Sequence, residues 1–152
     1  MLRADHIPFE LTSEYAEAAA RVHRRSFDNR LPWLSGLHTA DEDSAYFRSH
    51  VFRDCMVWGI EDSEELVGMI AFRPGWIDQL YVLPEHQGRG YGDALLQVAQ
   101  SRFDELQLWT FQKNSEARNF YEKRGFVAVE YTDGLENEER EPDMRYTWSR
   151  KT

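Results

Sequence analysis

Apolar and polar positions follow two different periods along this chain, and the switches between them divide it into eleven elements. A short strand is expected over 6–11, where Pro8 confines it to an edge. Thr12 or Ser13 can cap a helix over 13–25, with Tyr15, Ala18, Ala19 and Val22 on one face and Glu14, Glu17, Arg21 and Arg25 elsewhere. Over 27–37 the periodicity is broken by Asn29, Pro32, Ser35 and Gly36. Leu31, Trp33, Leu34 and Leu37 are too apolar for a solvated loop, so this segment is expected to cover something. Thr39 and Glu42 have the spacing of a capping box and predict a second helix over 40–52.

The period then shortens to that of strands. Segments 55–61 and 66–73 are joined by the polar turn Asp62, Ser63, Glu64, and the second runs through Pro74 and Gly75 into 76–83, an antiparallel meander. A helix over 93–103 carries Leu95, Leu96, Val98, Ala99 and Phe103 near one face, and a strand over 106–111 follows. A helix over 115–124 stops at Gly125, and two strands, 126–133 and 144–149, close the chain around the acidic loop DGLENEEREPD. The order β-α-α-β-β-β-α-β-α-β-β predicts one mixed sheet with helices on its faces, an α+β fold. The length, 152 residues, suits a single domain over 1–152.

Charge narrows the choice of partner. A net charge of -9 argues against nucleic acid or anionic membrane, both of which call for a basic field, and makes a cationic small molecule the more natural guest. The single cysteine, Cys55, excludes an internal disulfide and a cysteine-rich zinc site, as a reducing compartment would permit. His6, His23, His50 and His86 show no metal-ligand spacing, so no metal is expected. With no signal-like start and no run long enough to span a membrane, a cytoplasmic location is expected.

Most of the chemical information lies in WIDQLYVLPEHQGRGYGDALLQ, residues 76–97. A strand closed by Pro84 empties through Gly88, Gly90 and Gly92 into a helix N-terminus, where free N–H groups and the helix dipole favour a phosphate or pyrophosphate. The spacing is neither that of a dinucleotide fingerprint nor that of a P-loop. Further on, Asn114 and Tyr121 lie seven residues apart on nearly the same helical face and can address one ligand. Asn114 can equally serve as a helix cap, and Tyr121 can pack beside Phe120 on the sheet.

Strand, Gln87-x-x-Gly90-x-Gly92, helix, strand, Asn114 and then Phe120 to Phe126 together closely resemble the GCN5-related N-acetyltransferase (GNAT) superfamily. The resemblance implies a three-layer fold with a mixed, mostly antiparallel sheet. It implies that Gly88, Arg89, Gly90, Tyr91, Gly92 and Asp93 hold the pyrophosphate of acetyl-CoA as cosubstrate, with Gln87 a further cofactor-binding residue. The backbone of Leu80, Tyr81 and Val82 is implied to pair with the pantetheine arm in a gap between two splayed parallel strands. Asn114 and Tyr121 are implied to reach the pantetheine and the thioester sulfur.

The expected activity is acetyl transfer to a primary amine of a small molecule, amino acid or peptide. Tyr121, a phenol protonated at neutral pH, suits donation to the departing thiolate, and a backbone N–H near Tyr81 or Val82 suits the oxyanion. An amine needs a group to collect its proton. Some relatives place a glutamate where this chain has Trp109, so Asp78, two residues before Leu80, becomes the candidate base, a salt-bridged strand residue being its other role. Trp33, His38, Trp109, Glu138 and Glu139 are candidate acceptor-binding residues, His38 bordering the pocket beside Glu42. The acidic run can also be a solvated hairpin loop. The tryptophan at the usual base position leaves a second expectation, a non-catalytic acyl-CoA sensor. Apolar residues of the first helical region suit a homodimer contact.

Overall fold

In the computed structural model, residues 6–150 are described, and they form a seven-stranded sheet in the order β1-β2-β3-β4-β5-β7-β6. Strand β1 is only Phe9–Glu10, shorter than the pattern suggests, because Pro8 precedes it and Leu11 passes on with one further bond to Val57 O. The meander is β2 (Met56–Asp62), β3 (Glu65–Arg73) and β4 (Trp76–Val82). The second half comprises β5 (Glu105–Phe111), β7 (Asp143–Ser149) and the edge strand β6 (Val127–Tyr131). All neighbouring pairs are antiparallel except β4 with β5.

Every position from Leu66 to Phe72 in β3 is buried, so this strand is covered on both faces. Helix α1 (Ala16–Arg30) packs on β3 and β4 through the small or apolar residues Ala16, Ala19, Ala20, Val22, Ser26 and Phe27. Helix α4 (Tyr91–Gln100) packs on β2, β3 and β4 with Leu95, Leu96 and Ala99 fully buried. Gly68 allows that approach, since a Cβ there would lie 3.1 Å from Leu95 Cδ1. Tyr146, Phe72, Ile70, Leu106 and Leu108 fill the shared core.

Helix α1 departs from the pattern at both ends. Thr12 makes no side-chain cap; a 3-10 turn over Ser13–Tyr15 starts the helix instead. It then runs to Arg30 and stops only at Leu31, the residue before Pro32, where the helical conformation is disfavoured. The covering segment contains a 3-10 turn, Pro32–Leu34, and Leu31 and Leu34 join Phe27 and Phe111 in a satellite cluster while Trp33 and Leu37 are exposed. The Thr39–Glu42 capping box is present and starts α2 (Ala40–Tyr46). That helix continues through a π turn, Phe47–Val51, into α3 (Phe52–Asp54).

Candidate active site

Strands β4 and β5 meet in register at one pair, Trp76 with Gln107, and Gln107 N–H donates to Gly75 O at 2.9 Å. Beyond that pair they part. The gap is a cleft of about 330 Å³, walled by Ile77 to Val82 on one side and Leu108 to Thr110 on the other, within the size range of small-molecule sites. The glycine loop lies at one end. Helix α5 (Ser115–Glu122) lines it through Ala117, Phe120 and Tyr121.

The β4 backbone turns a hydrogen-bonding edge toward this gap. Leu83 N–H donates to Val67 O at 2.8 Å, and in an antiparallel ladder Tyr81 turns its amide groups the same way, toward β3. Leu80 and Val82 therefore direct theirs toward β5. Val82 O already accepts from Ser26 Oγ and Gln87 Nε2, both at 2.9 Å. Of the two positions expected for an oxyanion donor, alternation thus favours the Val82 N–H over that of Tyr81. Gln87 uses its side chain to fold the loop back onto β4.

In the loop, Gly88 and Gly90 have φ of +80° and +86°, a left-handed backbone that side chains disfavour. Gly90 is the N-cap of α4 and supplies no capping side chain, so the first-turn N–H groups of α4 have no side-chain acceptor there. A Cβ on Gly92 would lie 3.1 Å from Phe120 Cε1. Such a cradle fits a diphosphate. Asp93 lines the cleft, but its carboxylate accepts from Arg124 Nε at 2.9 Å and Gln97 Nε2 at 2.7 Å. Arg124 is a cleft residue that sequence reasoning missed. It packs over the Phe120 ring at 3.9 Å and brings a cation to the loop from 31 positions downstream. Arg89 lies outside the cleft wall and pairs with Asp62 at 3.4 Å.

Asn114 does cap α5, its Oδ1 accepting from Ala117 N–H at 3.2 Å, and also accepts from Arg30 Nη1 at 3.3 Å. With Oδ1 doubly engaged, its Nδ2 donors remain for a ligand. Arg30, also unforeseen, reaches the cleft because α1 runs five residues further than its apolar pattern, and it pairs with Glu116 at 3.1 Å. Tyr121 is buried against Phe126 (5.3 Å between ring centres) and Tyr146 (6.2 Å). Burial, and then Tyr81, raise its pKa above the ordinary phenol range, while Arg30 opposes the shift. The phenol stays protonated at neutral pH.

Two further cleft residues, Asp78 and Trp109, come from strands distant in sequence. Ala71 pairs with Gln79 but Phe72 pairs with Ile77, so Asp78 is the extra residue of a β-bulge. The bulge breaks the alternation that would put Asp78 and Leu80 on one face, yet both line the cleft. The Asp78 carboxylate is held by Arg73 (2.8 and 3.2 Å) and accepts from Cys55 Sγ at 3.3 Å. Trp109 lines the cleft and is 43% exposed. Trp33, His38, Glu138 and Glu139 do not touch its wall. Two of them join the loop between the last two strands instead: His38 contacts Glu138, and Trp33 Nε1 donates to Glu141 Oε1 at 2.9 Å.

Away from the cleft, Glu65, Glu85 and His86 bring possible ligand atoms within 4.8 Å of one another. Glu85 is already engaged by Arg25 at 2.6 Å. No helix among the described residues is long and apolar enough to cross a membrane.

Comparison with known proteins agrees with this geometry. Residues 53–128, half of the chain, match the acetyltransferase (GNAT) domain. The chain is 31% identical over 98 residues to the peptidyl-lysine N-acetyltransferase YiaC of Escherichia coli, covering 56% of this chain and 67% of that protein. Its fold matches the apo form of YjaB from Escherichia coli with a TM-score of 0.77 at 22% identity, over 95% of this chain and 97% of the other. It also matches PaiA N-acetyltransferase from Thermoplasma acidophilum in complex with coenzyme A, with a TM-score of 0.68 at 20% identity over 93% and 97% of the two chains. A seam opened between two parallel strands, a glycine cradle at its end and these relatives agree: the chain belongs to the GNAT acetyltransferases and is an N-acetyltransferase.

Proposed function

We propose that this enzyme transfers the acetyl group of acetyl-CoA directly to a primary amine, with a lysine side chain in a peptide as the leading acceptor. The observation that carries the reading is the splayed β4–β5 gap, which exposes the Leu80 and Val82 backbone between the glycine cradle and Tyr121. Bound acetyl-CoA supplies the activated thioester. The N–H groups from Gly88 to Asp93 hold its diphosphate, with Arg124 nearby, and Asn114 Nδ2 donates to the pantetheine. The Val82 N–H faces the position where negative charge grows on the acyl oxygen. Tyr121 gives its proton to the thiolate as the carbon–sulfur bond breaks.

An alkylamine with a pKa of about 10.4 is mostly protonated at neutral pH and must shed a proton before and after attack. Asp78, in its bulge at the cleft, collects the first once the ion pair with Arg73 loosens and releases it to solvent, and the second, shed after attack, restores the Tyr121 phenol by way of solvent. A covalent acyl-enzyme is disfavoured. Burial and the neighbouring Asp78 push the Cys55 thiol up to about 12, leaving little thiolate. The carboxylates of Asp78, Glu138 and Glu139 favour a cationic acceptor, and the relative named for peptidyl-lysine acetylation points the same way.

The test is thiol release on mixing enzyme, acetyl-CoA and a lysine-containing peptide. Tyr121→Phe is expected to lower kcat roughly 10²-fold or more while coenzyme A still binds. An unaltered kcat would remove Tyr121 from the chemistry.

A further inference from the structure

We propose that Asp62, at the end of β2 and outside the cleft, is the positioning residue that holds the glycine loop in its anion-binding shape. The inference rests on the acyl-CoA reading of the cleft. Three residues of the segment between β4 and the first turn of α4 converge on this one carboxylate. The Tyr91 hydroxyl donates to Oδ2 at 3.0 Å, Arg89 Nη1 reaches Oδ2 at 3.4 Å, and His86 Nδ1 stands 3.5 Å away. From the other side, His6 Nε2 lies 3.5 Å from Oδ1, and His6 Nδ1 is 3.1 Å from the Tyr91 hydroxyl. The Tyr91 hydrogen bond, opposed by burial and assisted by His6, keeps the Asp62 carboxyl below the usual range. Arg89 and Tyr91 flank Gly90, the left-handed residue that opens α4. Fixing both neighbours fixes the direction of the N–H groups between them.

The hairpin that carries Asp62 is itself shaped for this. Ser63 and Glu64 have φ of 54° and 67°, left-handed values at two successive non-glycine residues, in the two-residue turn where Asn-Gly is preferred. One rung back, Ile60 pairs with Gly68 but Glu61 pairs with Leu66, so β3 is bulged at Val67. Turn strain persists where surrounding contacts impose it, and Ser63 Oγ ties the turn to the Asp62 network by donating to Oδ1 at 3.2 Å. Asp62 does not itself line the cleft, whereas Tyr91 and His86 do. It acts on the ligand through those two residues and through Arg89.

Two measurements on Asp62→Ala test the proposal: calorimetric titration with coenzyme A, and amide hydrogen exchange over residues 86–92. The expected result is a Kd raised roughly tenfold, the size of effect that losing a charged hydrogen-bond network has, with faster exchange confined to the loop. A purely structural role elsewhere would instead lower the melting temperature and speed exchange across the sheet. Tyr91→Phe removes one hydroxyl without emptying the hairpin and is expected to raise the Kd in the same direction, so the proposal stays testable if Asp62→Ala fails to fold. An unchanged or tighter Kd, as expected if the carboxylate merely repelled the diphosphate, would overturn it. So would unaltered loop exchange. A parent enzyme that binds no coenzyme A would overturn the underlying reading as well, and the parent's own titration tells the two failures apart.

Discussion

His23 is a half-buried imidazole packed between Phe27, Phe47 and Tyr81, whose rings lie 4.8 to 5.7 Å away, and its Nδ1 is buried without a hydrogen-bond partner. Burial, with help from Arg24, lowers its pKa to about 4, so the folded protein carries it neutral. The unfolded chain binds a proton at this residue near pH 6.5, and between that value and about 4 it holds more protons than the folded form. Stability therefore falls as pH drops through this window, by up to about 3 kcal/mol for complete titration. His23→Phe is expected to flatten the fall; urea unfolding at pH 7 and pH 5 on both proteins measures it, and parallel slopes would assign the acid sensitivity elsewhere. Tyr121 and Asn114 were legible as single residues because their spacing survives folding. Arg30 and Arg124 were not, because each reaches the cleft through a helix end whose position depends on packing.

At the level of elements, the boundaries that local chemistry sets were readable. The Thr39 capping box starts α2, with Glu42 N–H donating to Thr39 Oγ1 at 3.1 Å and Thr39 N–H to Glu42 Oε1 at 2.7 Å. Thr39→Ala is expected to cost about 1 kcal/mol and to lower the melting temperature by a few degrees without changing coenzyme A affinity. A thermal melt with and without the ligand checks both halves of that expectation. What could not be read was the end of α1 at Arg30, the π turn through Phe47–Val51 and the bulge at Asp78. The bulge is a relation between two strands and leaves no period in either alone.

Over the whole molecule, the mixed sheet with helices on its faces and the splayed parallel pair were legible, whereas the strand order and the joining of the Trp33–His38 segment to the acidic loop came from long-range contacts. Trp33 and His38, near α1 and α2, are joined to Glu141 and Glu138 of the loop between β6 and β7, across about a hundred positions of sequence. Alternating periods carry no trace of such pairs. The paired substitution Glu138→Ala, Glu139→Ala is expected to raise KM for a cationic peptide several-fold, as loss of exposed charge does, and to leave KM for acetyl-CoA unchanged. Steady-state kinetics with each substrate varied in turn decides it, and equal peptide kinetics would make the loop a plain solvated turn.

The single register pair at Trp76 and Gln107 has a bearing on the lifetime of the protein. Where two half-sheets share so few rungs, backbone bonding is thinnest along their junction. A guest bonded along the open β4 edge braces the weakest line. Protease resistance should then track the supply of the acyl donor, and a starved cell would clear this enzyme sooner than a fed one.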